Sequence, residues 1–266
     1  MSFPDFARAV GLNAPHYLDD GRVHRCATAA HPRKRNGAYR WEGDWGWCQD
    51  WANHVEPVIW KDHTKPAQVR QRPVVDADLH RHAAAAAEAS RIVGKCEQGP
   101  HPYLSSKGFP KAEGLLDFDG RLVVPMRSCV TYTRIQSLQW ISKDGEKKFM
   151  TGGKARGGIF ALGSGEEQWL CEGYATGLSV QAALAKLYRQ SRVVVCFSAG
   201  NLAHVAGCLR GRRFVVADND QSGTGERVAR AAGLPWVMPP TVGDDANDFH
   251  QRDGVFALAD LLRGAL

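Results

Sequence analysis

Residues 167–266 alternate between short apolar runs and longer amphipathic stretches. Apolar runs of three to five residues that stop at Glu, Asp or Ser indicate buried strands, and the stretches between them indicate helices. The predicted order is strand 168–171, helix 175–188, strand 193–197, helix 202–209, strand 214–217, helix 224–232, strand 236–238 and helix 254–262. This alternation is typical of an α/β domain, a parallel sheet with helices on both faces and right-handed crossovers.

The residues before 167 follow a different pattern. The stretch NGAYRWEGDWGWCQDW (36–51) joins an Asn-Gly turn signal to alternating aromatic residues, which predicts short antiparallel strands. Residues 101–162 contain further alternating runs and an Asp-Gly turn signal at 144–145, so a second β-rich region is expected there. An alanine-rich stretch at 77–93 predicts a connecting helix.

These patterns predict four segments, and the fold is α+β overall. They are a β-rich N-terminal module (1–65), a helical linker (66–98), a small β-rich basic subdomain (99–166) and the α/β domain (167–266). No apolar stretch approaches the ~20 residues of a membrane helix, and the N-terminus lacks the layout of a signal peptide. We therefore expect a cytoplasmic protein with no membrane partner.

The seven cysteines include no CxxC pair, so neither a disulfide framework nor structural zinc is expected. Cys26 and Cys48 could still be combined with His24, His31 or His54 into a metal site of unusual spacing. Packing of the N-terminal tryptophans into a small core is the preferred interpretation of that module.

The formal net charge of +6 is unevenly distributed. Residues 21–40 hold six Lys and Arg and no acid, residues 143–156 are basic again, and VGDDANDFHQRDG (242–254) is acidic. A metal-dependent nucleic-acid enzyme needs basic residues for the nucleic acid and acidic residues for the metal ions, and this chain has the first in its N-terminal part and the second near its C-terminus. Chance clustering of charges on a solvated surface would look similar.

Three groups of carboxylates follow three predicted strands. Glu172 follows the first, Asp218 and Asp220 follow FVVA, and a later acidic loop supplies Asp244, Asp245 and Asp248. In an open parallel sheet these ends share one edge, where acids repel one another unless cations bind. Hard oxygen ligands suit Mg²⁺. The alternative is that such residues cap helices, as Asp220 or Thr176 could.

The stretches EGYATGLS, ADNDQSGTGERVARAAG and VGDDANDFHQRDG resemble the three motifs of a toprim domain, the metal-binding fold shared by DnaG-type primases, type IA and II topoisomerases and some nucleases. The resemblance implies that Glu172, Asp218 and Asp220 are the catalytic and metal-binding acids. Asp244 and Asp245 become further candidate metal ligands. The implied cofactor is Mg²⁺ or Mn²⁺.

The stretch KKFMTGG (147–153) is similar to the Lys-Tyr-x-Asn motif of DnaG-type enzymes, with Lys148 on the lysine and Phe149 and Thr151 in place of Tyr and Asn. A flexible basic hairpin with no dedicated ligand is the alternative. The residues expected to hold nucleotide or DNA are Lys107, Arg127, Lys148, Lys154, Arg156, Arg33, Lys34 and Arg35.

Together the resemblances imply a DnaG-type primase of phage, plasmid or mobile-element type, in the cytoplasm of a bacterial host. It would join ribonucleoside triphosphates into short RNA primers on a single-stranded DNA template. The N-terminal module stands where such enzymes carry a zinc ribbon, and would contact DNA through basic and aromatic residues. No GxxxxGK[ST] pattern occurs, so a separate replicative helicase is the expected partner. A toprim nuclease and a non-catalytic single-stranded DNA-binding module are the alternatives.

Overall fold

A computed structural model describes residues 1–54, 56–62 and 74–266, with side chains in the last range from residue 78. The chain divides into two compact units, unit 1 (Met1–Arg72) and unit 2 (Pro73–Leu266). The predicted boundary at residue 65 and the start of the predicted linker lie outside the described residues.

Unit 1 is an antiparallel meander with one short helix. Its elements are α1 (Phe3–Ala9), β1 (Leu12–Asn13), β2 (Val23–Thr28), β3 (Gly37–Glu42), β4 (Trp45–Asp50) and β5 (Val58–Lys61), with the strands paired in chain order. Phe3 is fully buried and stacks on Trp41, with ring centroids 5.2 Å apart. A Cβ at Gly46 would come within 2.4 Å of the Phe3 ring, so this glycine lets α1 pack directly on β4.

Unit 2 contains one continuous mixed sheet. Its elements are α2 (Val74–Val93), β6 (Glu97–Pro100), α3 (Pro102–Ser106), β7 (Glu113–Leu116), β8 (Leu122–Ser128), β9 (Ile135–Ile141), β10 (Lys147–Phe149), β11 (Gly158–Leu162), β12 (Glu167–Cys171), α4 (Tyr174–Lys186), β13 (Ser191–Val195), α5 (Ala199–Cys208), β14 (Arg213–Val216), α6 (Thr224–Ala232), β15 (Trp236–Val237) and α7 (Ala246–Arg263).

The sheet order is β10-β9-β8-β11-β13-β12-β14-β15, with β7 on β8 and β6 on β7. The predicted parallel strands are present, because β13, β12, β14 and β15 pair in parallel. The sheet as a whole is mixed, because β11 pairs antiparallel with both β13 and β8. Strand β11 therefore joins the β-rich basic region and the α/β region into one sheet.

The core of the α/β region is built from its β-branched strands and two stacked aromatic rings. Val193, Val194 and Val195 are fully buried in β13. Trp169 on β12 stacks on Phe214 on β14, with ring centroids 4.4 Å apart. These contacts fix β12 against β14, the two strands that carry the candidate site.

The starts of three helices differ from the sequence prediction, among them α5, which begins at Ala199 instead of residue 202. Helix α4 begins at Tyr174 with Gly173 as N-cap, so Thr176 lies inside the helix and the alternative that it caps the helix is wrong. Helix α7 begins at Ala246 instead of Gly254, because Asp245 and Asp248 form a capping box. Gly254 has a non-helical φ of 89° and separates two helical segments, so the predicted helix 254–262 is the second segment, and the first segment is the part that the prediction missed.

Among the described residues, no helix is long and apolar enough to cross a membrane.

Candidate metal centre

The candidate site lies at the carboxyl ends of β12 and β14. These strands are parallel neighbours, with Trp169 opposite Phe214 and Leu170 opposite Val215. Glu172 comes directly after β12, and Asp218 and Asp220 come just after β14. The register therefore brings the predicted acids to one edge of the sheet.

Glu172 and Asp218 are in an environment that opposes their charged forms. Burial raises the pKa of Glu172 to about 7, and the charge of Asp220 adds to this. Burial also raises the pKa of Asp218 well above its usual range, with further contributions from Glu172 and Asp245. Repulsion among the acids and loss of hydration act in the same direction, so a bound cation would stabilise the ionised site.

One oxygen of Asp218 has no protein partner. Its Oδ1 atom is buried and finds no hydrogen-bond donor among the described residues. A buried carboxylate oxygen without a donor costs free energy unless a cation or another ligand satisfies it. The chemistry of these oxygens suits a hard divalent cation such as Mg²⁺, but within the described residues the acids are not arranged as a complete set of three metal ligands.

Asp220 differs from its neighbours because its carboxylate is satisfied by hydrogen bonds. It accepts backbone N–H groups from Thr224 (3.1 Å) and Gly225 (2.7 Å) and the hydroxyl of Ser222. Burial raises its pKa, but these hydrogen bonds outweigh burial and lower it. The helix-cap alternative for Asp220 is thus partly right: Gly223 is the N-cap of α6, and Asp220 bonds the amides of the first turn.

Gly225 is a site residue that the sequence reasoning missed. A Cβ at Gly225 would lie 2.1 Å from the backbone oxygen of Asp218. Only glycine allows α6 to begin this close to the acidic loop. The stretch Ser-Gly-Thr-Gly after Asp220 is the signal that could have identified it.

Asn219 holds the later acidic loop beside Asp218 and Asp220. Its backbone N–H donates to the Asp244 carbonyl (2.9 Å), its carbonyl accepts from Gly243 (2.6 Å), and its side-chain amide donates to Pro239 (2.9 Å). The loop is therefore fixed along the same edge.

The two acids of that loop have different surroundings. Asp244 accepts a hydrogen bond from Arg252 at 2.5 Å. Asp245 accepts from the backbone N–H groups of Asn247 (2.7 Å) and Asp248 (3.0 Å) and from the Thr176 hydroxyl (3.2 Å). Since the charge of Asp245 also raises the pKa of Asp218, Asp245 is the better placed of the two to influence a bound metal ion.

A second residue that the sequence reasoning missed is Lys147. In β10, Lys147 and Phe149 lie on one face, and Lys148 lies on the other. Phe149 packs against Phe197, and Lys147 lowers the pKa of both Glu172 and Asp218. The alternation that follows the Asp-Gly turn could have indicated this face.

The other predicted basic residues of unit 2 are distributed over the sheet and its loops. Lys107 lies 4.0 Å from Asp248, and its carbonyl accepts from Asn247 at 2.9 Å. Arg127 donates to the Thr133 carbonyl at 2.7 Å. The backbone carbonyls of Lys154 and Arg156 accept from Gln136 at 2.8 and 3.0 Å, which fixes the loop before β11.

In unit 1 the predicted basic residues Arg33, Lys34 and Arg35 are exposed between β2 and β3. The guanidinium of Arg25 lies 4.0 Å from the ring centroid of Trp51, and Arg25 donates to the Arg35 carbonyl at 2.6 Å. Basic and aromatic groups thus lie together at one end of the strands of this unit.

Cys26 and Cys48 lie in the apolar core of unit 1. Burial raises the pKa of Cys48 to about 12. Across the described ranges, no three His, Cys, Asp or Glu side chains are arranged as a ready metal-ligand group.

Residues 168–255 match the family model described as Toprim domain. One similar solved chain comes from a structure of the bacteriophage T7 lagging-strand DNA polymerase interacting with primase domains of two gp4 subunits bound to an RNA/DNA hybrid and dTTP. It is 15% identical at a TM-score of 0.42, over 61% of this chain and 83% of that chain. The DnaG catalytic core is 13% identical at a TM-score of 0.36, over 73% of each chain. The match to the toprim model covers the region of the three motifs and agrees with the resemblance seen in them.

Proposed function

We propose that this chain is a DnaG-type primase that synthesises short RNA primers on single-stranded DNA by metal-dependent nucleotidyl transfer. The observation that supports it best is the meeting of Glu172, Asp218 and Asp220 at adjoining strand ends of a toprim domain, with one buried Asp218 oxygen unsatisfied. Acids this close together repel one another unless cations bind between them, and enzymes that transfer phosphoryl groups use metal ions bound in this way.

Glu172, Asp218 and Asp220 are the proposed ligands of Mg²⁺ or Mn²⁺, with Asp245 close by and Asp244 at the rim. When bound, the metal ions would neutralise the incoming triphosphate and stabilise the leaving pyrophosphate. The chain's own contribution is a rigid edge. Hydrogen bonds from the first turn of α6 hold Asp220, and Gly225 lets that helix approach Asp218.

Glu172 has a second role in the proposed chemistry, as a proton acceptor. A carboxylate with a pKa of about 7 can accept a proton from the primer 3′-hydroxyl and release it to solvent near neutral pH. We assign Glu172 as metal ligand first, because the amide of Phe197 fixes its backbone carbonyl at 2.8 Å and so keeps the residue at the strand end beside Asp218 and Asp220.

The basic subdomain favours nucleotide joining over hydrolysis. Strands β8, β9 and β10 are continuous with the toprim sheet through β11, so the basic hairpin is part of the same rigid sheet as the acids. We propose that Lys148, Lys154, Arg156, Arg127 and Lys107 hold template backbone or ribonucleoside triphosphates. In unit 1, we propose that Arg33, Lys34 and Arg35 contact single-stranded DNA, with Arg25 and Trp51 beside them.

The test is primer synthesis on single-stranded DNA of mixed sequence, with labelled ribonucleotides and either Mg²⁺ or Mn²⁺. The parent chain, Glu172→Gln, Asp218→Asn and Asp220→Asn are compared, and products are resolved by length. We expect short RNA from the parent and a loss of at least about 100-fold in each variant. A parallel reaction with a replicative helicase tests whether the proposed separate partner raises the yield.

Two results would contradict the proposal. Metal-dependent loss of the DNA itself, without RNA, would identify a toprim nuclease. Binding of single-stranded DNA that is equally tight in chelator, with no product under any condition, would identify a binding module.

A further inference from the structure

Asn247, near the start of α7, is fully buried and connects three separate parts of unit 2. Its side-chain amide donates hydrogen bonds to the Lys107 carbonyl at 2.9 Å and to the Ser179 hydroxyl at 3.0 Å. Its side-chain oxygen accepts a hydrogen bond from Gln251 at 3.0 Å. Both N–H groups of the amide are therefore used, and one of them holds a residue that is 140 positions away in the sequence.

The same residue is bound to the acidic loop. The backbone N–H of Asn247 donates to the Asp245 carboxylate at 2.7 Å. The Asp248 carboxylate in turn accepts the Asp245 backbone N–H at 3.2 Å, and its other oxygen lies 4.0 Å from the Lys107 ammonium nitrogen. Lys107 is thus connected to the acidic loop twice, through its carbonyl by Asn247 and through its ammonium group by Asp248.

Lys107 depends on these contacts for its position. It is the C-cap of α3, a helix of five residues, and so short a helix is not stable without tertiary contacts. The Lys107 side chain is 31% exposed, and its ion pair with Asp248 is partly open to solvent. A pair of this kind contributes little to stability, so another anion can take the place of Asp248. A phosphate group is suited to this, because an ammonium group binds phosphate as a point charge.

We propose that Asn247 is a positioning residue, which holds Lys107 at the rim of the acidic edge so that its ammonium group binds a phosphate group of a ribonucleoside triphosphate. This role rests on the proposed function, in which metal ions at that edge bring the triphosphate to the same rim. Asn247 itself does not contact the nucleotide. It acts through one hydrogen bond to the Lys107 carbonyl.

Asn247→Ser is the test variant. Serine is well tolerated in the first turn of a helix, but its side chain is too short to replace the amide at the Lys107 carbonyl. Asn247→Ala repeats the test without a hydroxyl group. Ser179→Ala is the matched control, because it removes the other acceptor of the same amide, is equally buried and leaves the hydrogen bond to Lys107 in place.

The experiment uses the full chain in Mg²⁺, with inorganic tripolyphosphate and ATP as probes. Their Kd values are measured by isothermal titration calorimetry, the Kd for Mg²⁺ is measured in the same way without them, and thermal unfolding shows whether each variant is folded. We expect Asn247→Ser to raise the Kd for both probes by about five- to tenfold, and Ser179→Ala to leave both unchanged. The Kd for Mg²⁺ should not change in Asn247→Ser, because the backbone N–H that binds Asp245 is retained. A loss of Mg²⁺ binding in parallel with the loss of probe binding would show a merely structural role.

A double-mutant cycle tests whether Asn247 acts through Lys107. Lys107→Gln should raise the Kd for both probes by about tenfold. Adding Asn247→Ser to Lys107→Gln should have no further effect, because the contact that Asn247 positions is already lost.

Equal weakening by Asn247→Ser in the presence and absence of Lys107→Gln would overturn the proposal, and so would equal weakening by Ser179→Ala. The outcome is separable from that of the proposed function. Tripolyphosphate binding that follows the expected pattern in a chain that makes no primers would refute the function and leave the assignment of Asn247 intact. Primer synthesis by the parent, with probe binding that neither Asn247→Ser nor Lys107→Gln weakens, would overturn only the assignment.

Discussion

Asp218 and Asp220 show how two residues of one short motif acquire different properties from their surroundings. Asp220 is held ionised by amides of α6, while Asp218 keeps a buried oxygen with no donor in the described part of the chain. The Asp220 carboxylate therefore also has a structural role at the start of α6. The Asp218 carboxylate destabilises the fold unless a cation is present, so its replacement should report metal binding more sensitively.

Replacing Asp218 by asparagine should stabilise the metal-free chain. The amide removes a buried charge next to Glu172 and Asp245, and we expect a gain of about 1–2 kcal/mol in the free energy of unfolding in chelator. Urea denaturation with and without Mg²⁺ measures this. The stabilisation that Mg²⁺ gives the parent should disappear in the variant. A variant less stable than the parent in chelator would show that the buried Asp218 carboxylate does not destabilise the metal-free chain.

Gly225 makes the second prediction at this scale. Gly225→Ala puts a Cβ 2.1 Å from the Asp218 carbonyl oxygen, and since that oxygen and the Cα that carries the Cβ both belong to the backbone, the acidic loop or α6 must shift. We expect a loss of about 1–3 kcal/mol in stability and weaker Mg²⁺ binding.

Gly207→Ala is the control for Gly225→Ala, because Gly207 lies in α5 with open space around its Cβ position. Alanine there should be neutral or stabilising by up to about 1 kcal/mol. Equal effects of the two substitutions on Mg²⁺ binding, measured by calorimetry, would contradict the role given to Gly225.

Strand β12 connects the stability of the sheet with the site at its far end. At its start Glu167 accepts hydrogen bonds from Trp169 (2.8 Å), Ser191 (3.0 Å) and Arg189, which tie β12 to β13 and to the turn that follows α4. At its end stands Glu172. A structural acid therefore begins β12, and a candidate metal ligand follows directly after its end.

The Glu167 network makes stability sensitive to acid. Burial alone would raise the pKa of Glu167, but the hydrogen bonds of Arg189, Trp169 and Ser191 lower it from 4.5 to about 2. A lowered pKa stabilises the fold above pH 4.5, and this contribution is lost as pH falls from about 4.5 to 2. Glu167→Gln should cost about 2 kcal/mol at pH 7, and the difference from the parent should shrink as pH falls from about 5 to 2.

Denaturant titrations across that pH range measure the effect. Glu226→Gln is the comparison, since the Glu226 pair with Arg230 is exposed at one helix surface, and it should cost at most about 0.5 kcal/mol. A cost of Glu167→Gln that stays constant from pH 7 to pH 2 would contradict the lowered pKa.

At the scale of the whole molecule, local sequence signals predicted the acidic edge well. Glu172 and Asp218 each follow an apolar run directly, Asp220 lies two residues further on, and parallel strands bring such ends together without any knowledge of side-chain packing. The three motifs made the prediction of the domain type more specific, and the toprim family model matches the same region, residues 168–255.

The features that sequence reasoning missed depend on register or on contacts between distant segments. The face of Lys147 follows from the pairing of β10 with β9, and the role of Gly225 follows from its approach to Asp218. The start of α7 was missed because a reciprocal Asp245–Asp248 capping box inside an acidic run looks like a loop. The ion pair between Asp244 and Arg252 could not be predicted from the sequence either, since it depends on the position of a side chain.

The charge of unit 1 gives a prediction for the whole molecule. Replacing Arg33, Lys34 and Arg35 together by glutamine removes three exposed cations, so the slope of log K against log salt for single-stranded DNA should become shallower by about 2. Fluorescence anisotropy over a salt series measures it. Replacing Arg91, Arg230 and Arg263, each paired with an acid on its own helix, removes the same net charge and should leave the slope nearly unchanged. If both triple variants lower the slope equally, binding follows net charge, and unit 1 is not the DNA-contact module.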